Sequence, residues 1–197
     1  MYDKSTVKQL LESAIDSLID NFIREPYLHR VEHSMHCELY SMLSVHRSLQ
    51  GVHPIGSTSW NTGLIHKEWP EQKAREDKNG RRGNFDLAIL SPESLRRADL
   101  YEFTEGRIEP DFAVEMGLNY NLDHLINDDR KLCNSGYTES GYLVHLWQPS
   151  RGITAKNLQD LITWSANHNC QLAAAVFDGE RIFCKHLLDR ALKDVAI

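Results

Sequence analysis

Two apolar segments constrain the fold more than anything else in the chain. "DFAVEMGL" (111–118) and "GYLVHLW" (141–147) carry almost no polar interruption. Strands of that kind are covered on both faces of a sheet. Between them, "NLDHLINDDRKLCNS" sets Leu122, Leu125, Ile126 and Leu132 on one side of a helix over 122–133. Strand, helix and strand make a crossover unit, which is parallel and right-handed. The expected class is therefore α/β, a three-layer sandwich with a central mixed sheet flanked by helices.

The flanking text fits that frame. "STVKQLLESAIDSLIDNFI" reads as an amphipathic helix capped by Ser5 or Thr6 and ended by Pro26. "LHRVEHSMHCELYSMLSVHRSL" reads as a second helix stopping near Gly51, and 52–63 has loop chemistry. "GLIHKEW" (63–69) and "NFDLAIL" (84–90) read as strands antiparallel to each other and to 111–118. The stretch 91–110 reads as a long connection. "TAKNLQDLITWSANHN" reads as a helix capped by Thr154. "CQLAAAVFDGERIFCKHL" reads as a hairpin turning at Asp178-Gly179 in the type I′ manner, and a short helix is expected at the C-terminus. One domain over 1–197 is expected, with its core at about 30–147.

The 41% apolar and 25% charged content is that of an ordinary globular chain. No apolar run approaches the roughly 18 residues that span a bilayer. The four cysteines, Cys37, Cys133, Cys170 and Cys184, form no CxxC pair and read as reduced thiols in the cytoplasm. A net charge of −6 argues against a surface that coats nucleic acid indiscriminately. It leaves room for an enzyme of nucleic acid whose acids gather at a metal.

Four acids lie in apolar contexts: Glu38 in "MHCELYSML", Glu68 in "GLIHKEW", Asp86 in "NFDLAIL" and Glu115 in "FAVEMGL". A carboxylate in such a place is costly unless it is paired, hydrogen-bonded or metal-bound. Three of them fall on consecutive strands, which favours one shared metal site over separate structural ion pairs. Hard oxygen donors point to Mg²⁺ or Mn²⁺. The competing zinc reading, His33, His36 and Cys37 in "HSMHCE", lacks a fourth ligand, and Cys37 lies about 100° round the helix from His36.

In this order and spacing, helix-borne Glu38, "HKEW", "GNFDLAIL", "DFAVEMGLN" and the helix "INDDRKL" resemble the PD-(D/E)XK, restriction-endonuclease-like superfamily over about residues 30–147. The resemblance implies a restriction-endonuclease-like fold and divalent-metal-dependent cleavage of nucleic acid. Asp86 matches the acid of the second core strand and Glu115 that of the third, with the Met116 carbonyl as a further ligand. Glu38 matches the acid of the first helix, and Glu68 is an additional candidate. Pro110-Asp111 spells the motif's first letters only four residues ahead of Glu115, on the same strand, and does not correspond to it.

The departure is Gly117. Residues i and i+2 of a strand share a face, so residue 117 points where Glu115 points. The superfamily usually carries a lysine there, orienting water and offsetting charge on phosphorus. Lys67 and Lys131 are the candidate replacements. Lys67 is expected on the opposite face unless a bulge intervenes. On an ideal wheel Lys131 falls opposite Leu125, Ile126 and Leu132, which places it in solvent. Asn119 and Gln148 are neutral candidates.

The chain is thus expected to be a metal-dependent nuclease, an endonuclease acting on DNA, with a homodimeric or other protein partner. The alternatives are a noncatalytic member of the same fold that binds nucleic acid or protein, and an interaction subunit whose acids are merely paired.

Overall fold

The computed structural model describes residues 2–76, 79–137, 140–149, 154–166, 171–189 and 191–196. A seven-stranded mixed sheet runs in sequential order: β3 (Ile65–Pro70), β4 (Asn84–Ile89), β5 (Phe112–Leu118), β6 (Gly141–Trp147), β7 (Gln171–Phe177), β8 (Arg181–Lys185) and β9 (Lys193–Ala196). β3, β4 and β5 are antiparallel neighbours, β5, β6 and β7 are parallel, and β8 and β9 return to antiparallel pairing. A separate two-residue ribbon, β1 (His53–Pro54) with β2 (Asn61–Thr62), lies within the expected loop.

Helices cover both faces. Leu11, Ile15, Leu18 and Phe22 of α1 (Lys4–Arg24) and Met35, Leu39 and Leu43 of α2 (Glu32–Ser44) pack with Val114, Met116, Val144 and Ala173. On the other face, Leu125 and Leu132 of α5 (Leu122–Asn134) and Leu158 and Leu161 of α6 (Ala155–Ala166) pack with Ala113, Leu143, Trp147 and Leu172. β5 and β6 are buried along their whole length, as strands sandwiched between helices must be. No helix among the described residues is long and apolar enough to cross a membrane.

Several local expectations need correction. The cap of α1 is Asp3, whose carboxylate accepts the Thr6 N–H at 2.8 Å. α2 is shorter than its sequence pattern, starting at Glu32 and giving way to turns after Ser44. The connection 91–110 folds into α3 (Pro92–Arg97) and α4 (Leu100–Thr104), capped by Ser91 and Asp99. Gly179 and Glu180 are the central residues of the β7–β8 turn, because Asp178 N–H bonds to the Arg181 carbonyl. Only Gly179 has positive φ (109°), whereas a type I′ turn needs it at both positions. The C-terminal helix is instead β9. Four residues are too few to nucleate a stable helix, and they pair with β8, with Arg181 and Asp194 joined at 2.6 Å. Cys170 lies outside the described residues.

Candidate metal centre

β5 builds the site. Phe112, Val114, Met116 and Leu118 face α1 and α2, so Glu115 and Gly117 face α5. β4 pairs with β5 only from Ile89↔Phe112 to Leu87↔Val114. Beyond that point the alternation of β4 breaks, since Leu87 enters one core and Phe85 the other. On β3 the opposing residue, Glu68, has a left-handed φ of 55° and drops out of the ladder between Lys67↔Leu87 and Trp69↔Phe85. A non-glycine residue held there is a strained feature.

The opening leaves β5 backbone donors without strand partners, and acidic side chains take them. Asp86 accepts the Met116 N–H at 2.6 Å, and Glu32 of α2 accepts the Leu118 N–H. His36, one turn after Glu32, is buried. Its Nε2 lies 3.7 Å from Glu32 Oε1 and 3.8 Å from Asp86 Oδ2. One donor atom each of Glu32, His36 and Asp86 lie within 4.8 Å of one another.

Glu115 is 1% exposed and lies at the centre of this charge. The strongest charge acting to raise its pKa is Asp86. Lys131 Nζ lies 2.5 Å from Glu115 Oε2, 3.1 Å from the Asn84 carbonyl and 3.6 Å from Asp128 Oδ1. The expectation that Lys131 is solvated therefore fails: its side chain is only 13% exposed. The wheel misled because Ile126 was counted in the stripe. The residues that α5 buries are Leu125, Asp128, Asp129 and Leu132. Their axis leaves Lys131 on the flank, from where its long stem reaches the sheet.

The titration directions follow from crowding. Burial, then Asp86 and Asp128, push Glu32 up to about 7 against the Leu118 hydrogen bond and Lys131. Burial pushes Asp86 up to about 6, opposed by the Met116 N–H and Lys131. Burial and Asp86 hold Glu115 well above the carboxylate range although Lys131 opposes them. Lys131 is itself raised: the attraction of Glu115 and Asp128 outweighs its burial. Burial, with Lys67, His33 and Lys131, lowers His36 to about 4. Its short distances to Glu32 and Asp86 are thus contacts of a neutral ring, not ion pairs, and neither ring nitrogen has a hydrogen-bond partner among the described residues.

Other candidates stand elsewhere. Glu38 bonds to Asn21 and lies 2.6 Å from His29 Nε2, tying α1 to the loop before α2. It is about 120° or more round α2 from Glu32 and His36, so Glu32 is the helix acid that reaches the strands. Glu68 is exposed but near enough to act on Asp86. Lys67 projects toward α2, with Nζ 3.0 Å from His33 Nε2 and 3.7 Å from Cys37 Sγ. His33 and Cys37 therefore gather round a lysine, and only His36 of the "HSMHCE" set joins the acids. Asn119 and Gln148 bond to each other at 2.7 Å, and Gln148 holds the Pro26 and His29 carbonyls. Strand geometry turns the Met116 carbonyl to the same side as its N–H, toward Asp86. Asp111 takes Tyr2 and Lys4 at the other end of β5.

Sequence reasoning missed Glu32, and placed His36 only in a zinc set with His33 and Cys37. Their i, i+4 spacing was legible, but α2 had no visible start in the text, so its inward face was not fixed. It also missed what fills the space beside Gly117. A Cβ there would lie 2.4 Å from Nδ1 of His145, the paired residue on β6. No protein-family model, curated protein or solved structure matches this chain.

Proposed function

We propose that the chain is a divalent-metal-dependent nuclease of restriction-endonuclease-like fold, cleaving phosphodiester bonds of nucleic acid, DNA in the first instance. The observation that carries this reading is Lys131. It reaches Glu115 from α5, beside Asp86, and so supplies the cation that Gly117 cannot.

The donor set fits a hard or borderline divalent ion. Glu32 and Asp86 offer carboxylate oxygens and His36 a neutral nitrogen, all within 4.8 Å of one another. Glu115 stands outside that group as a further acid, and Glu115 Oε1 and Glu32 Oε2 are buried without hydrogen-bond partners among the described residues. The Met116 carbonyl is a further oxygen. One imidazole among oxygens favours Mn²⁺ over Mg²⁺ more than an all-oxygen site would. When bound, such an ion polarises a phosphate oxygen and lowers the pKa of a water. Lys131, held charged, orients that water and offsets the charge that builds on phosphorus. Lys67 and His33 lie on the α2 side of the acids, where a cation suits a flanking phosphate.

The test is cleavage of single-stranded, duplex and branched DNA and of RNA with Mn²⁺ and with Mg²⁺, wild type beside Lys131→Ala and Asp86→Asn. Metal-dependent cleavage lost in both variants is expected. Bound metal with no cleavage of any substrate would favour a noncatalytic binding protein. The absence of metal binding would leave the Glu115–Lys131 contact as a structural ion pair in an interaction subunit, a reading its burial also supports.

A further inference from the structure

Behind Lys131 lies a second charged group that the reading above does not use. Asp128 is 3% exposed. Its Oδ1 lies 3.6 Å from Lys131 Nζ, and its Oδ2 lies 3.4 Å from His145 Nε2 and 3.3 Å from His124 Nε2. His145 is fully buried in β6, and neither of its nitrogens has a hydrogen-bond partner among the described residues. Its ring is held by stacking on Trp147 (centroids 5.6 Å apart, planes at 27°) and meets His124 edge-on at 6.3 Å. A buried imidazole and a buried carboxylate are costly residents of a sheet–helix interface unless they serve each other or a third group.

The placement of His145 explains the placement of the lysine. Its ring fills the volume where a side chain at 117 would begin, so a lysine on β5 and His145 on β6 exclude one another. With His145 present, the ammonium that meets Glu115 comes from α5. Asp128 lies one turn before Lys131 on that helix, with its carboxylate between the imidazole and the ammonium. Glu115 belongs to the candidate ligand set, so its hold on Lys131 competes with any ion it binds. Asp128 lies outside that set.

We infer that Asp128, seated against His145, is the positioning residue for Lys131, and that Gly117, His145, Asp128 and Lys131 act as one unit replacing a strand-borne lysine. This rests on the nuclease reading for its consequence in catalysis but not for its geometry, and the experiment separates the two.

Accessibility of Lys131 is measured first, without any cleavage assay, as the rate of acylation by acetic anhydride in metal-free buffer, followed by peptide mass spectrometry. Wild-type Lys131 is expected to react slowly beside the exposed Lys4, and Asp128→Asn to speed it several-fold. His145→Ala should do the same, and if that variant does not fold, the isosteric Asp128→Asn decides alone. An unchanged Lys131 rate in Asp128→Asn overturns the inference whatever the activity shows. Kinetics come second. Asp128→Asn is expected to lower kcat about 10-fold or more with KM within about twofold, and to add almost nothing in a Lys131→Ala background, because residues acting as a unit are non-additive. Equal losses in both backgrounds would make Asp128 independent of Lys131 and overturn the inference. If wild type itself cleaves nothing, the nuclease reading fails, and the acylation rates still decide the positioning.

Discussion

Lys131 Nζ sits 2.5 Å from Glu115 Oε2, joining the helix after the third core strand to the acid within it. The contact gives Glu115 the ammonium that Gly117 cannot carry, and it comes from α5. Lys131→Ala is expected to lower kcat by roughly 10²–10³, the usual scale for losing one preorganised donor to a developing anion. Lys131→Arg should recover only part, because a planar guanidinium cannot reproduce a point contact to one oxygen. Initial rates in saturating Mn²⁺ check both.

The same contact predicts a stability pattern. Lys131→Ala leaves Glu115 buried without its partner, which costs about 3–5 kcal/mol when a buried pair is broken. Adding Glu115→Gln should return most of that loss. Denaturant unfolding of the single and double variants in metal-free buffer measures it. A double variant as unstable as the single would mean that the cost is lost packing of the lysine stem.

Asp86 and Glu32 have folded-state pKa values raised to about 6 and about 7. Such groups hold protons more tightly in the native chain than in the unfolded one. Their contribution to stability is full below the ordinary carboxylate range and is lost as pH rises through about 6 and about 7. Asp86→Asn and Glu32→Gln keep an acceptor for the Met116 and Leu118 N–H groups and remove the charge. Relative to wild type, each should therefore gain thermal stability in metal-free buffer at pH 8, with the gain vanishing near pH 4. Stabilisation of the wild type by Mn²⁺ should grow over the same interval, since the ion competes with those protons. Thermal melts of variants and wild type from pH 4 to 8, with and without Mn²⁺, provide the check.

The two helix acids have separable roles. Glu32→Gln is expected to weaken Mn²⁺ binding about 10-fold or more. Glu38→Gln should leave it unchanged while costing about 1–2 kcal/mol through the loss of its His29 and Asn21 contacts. Calorimetric titration with Mn²⁺ distinguishes them, and a reversed order would return Glu38 to the site.

Gly117→Ala is expected to destabilise by about 1–3 kcal/mol. Its φ lies outside the left-handed region, so the backbone accepts a side chain. The obstacle is the His145 ring, 2.4 Å from where the Cβ would stand. Adding His145→Ala should offset part of the loss. Gly117→Lys should fail as a gain-of-function substitution for the same reason. Unfolding midpoints of the three variants test this.

The sequence by itself determined the sheet and the two acids at its centre. The apolar runs 112–118 and 141–147, with the helix between them, leave only a parallel crossover buried on both faces. A strand's period of two then fixes that Glu115 and position 117 look the same way. Asp86 was legible for a related reason, as an acid in an apolar strand that needs a partner. What only the tertiary structure decided was which distant side chains supply the rest. Whether Glu32 or Glu38 turns inward depends on the roll of α2 against β5, and helical periodicity does not set that roll where the apolar stripe is weak. Whether Lys131 faces solvent or reaches the sheet depends on only about 30° of rotation about α5. That rotation is set by Asp128 and Asp129 being buried, which a hydrophobic pattern reads as polar and therefore outward. His145 beside Gly117 is a pairing across strands 28 residues apart in the register Gly117↔His145. No local pattern encodes that pairing, because it follows from how the crossover brings β6 into line with β5.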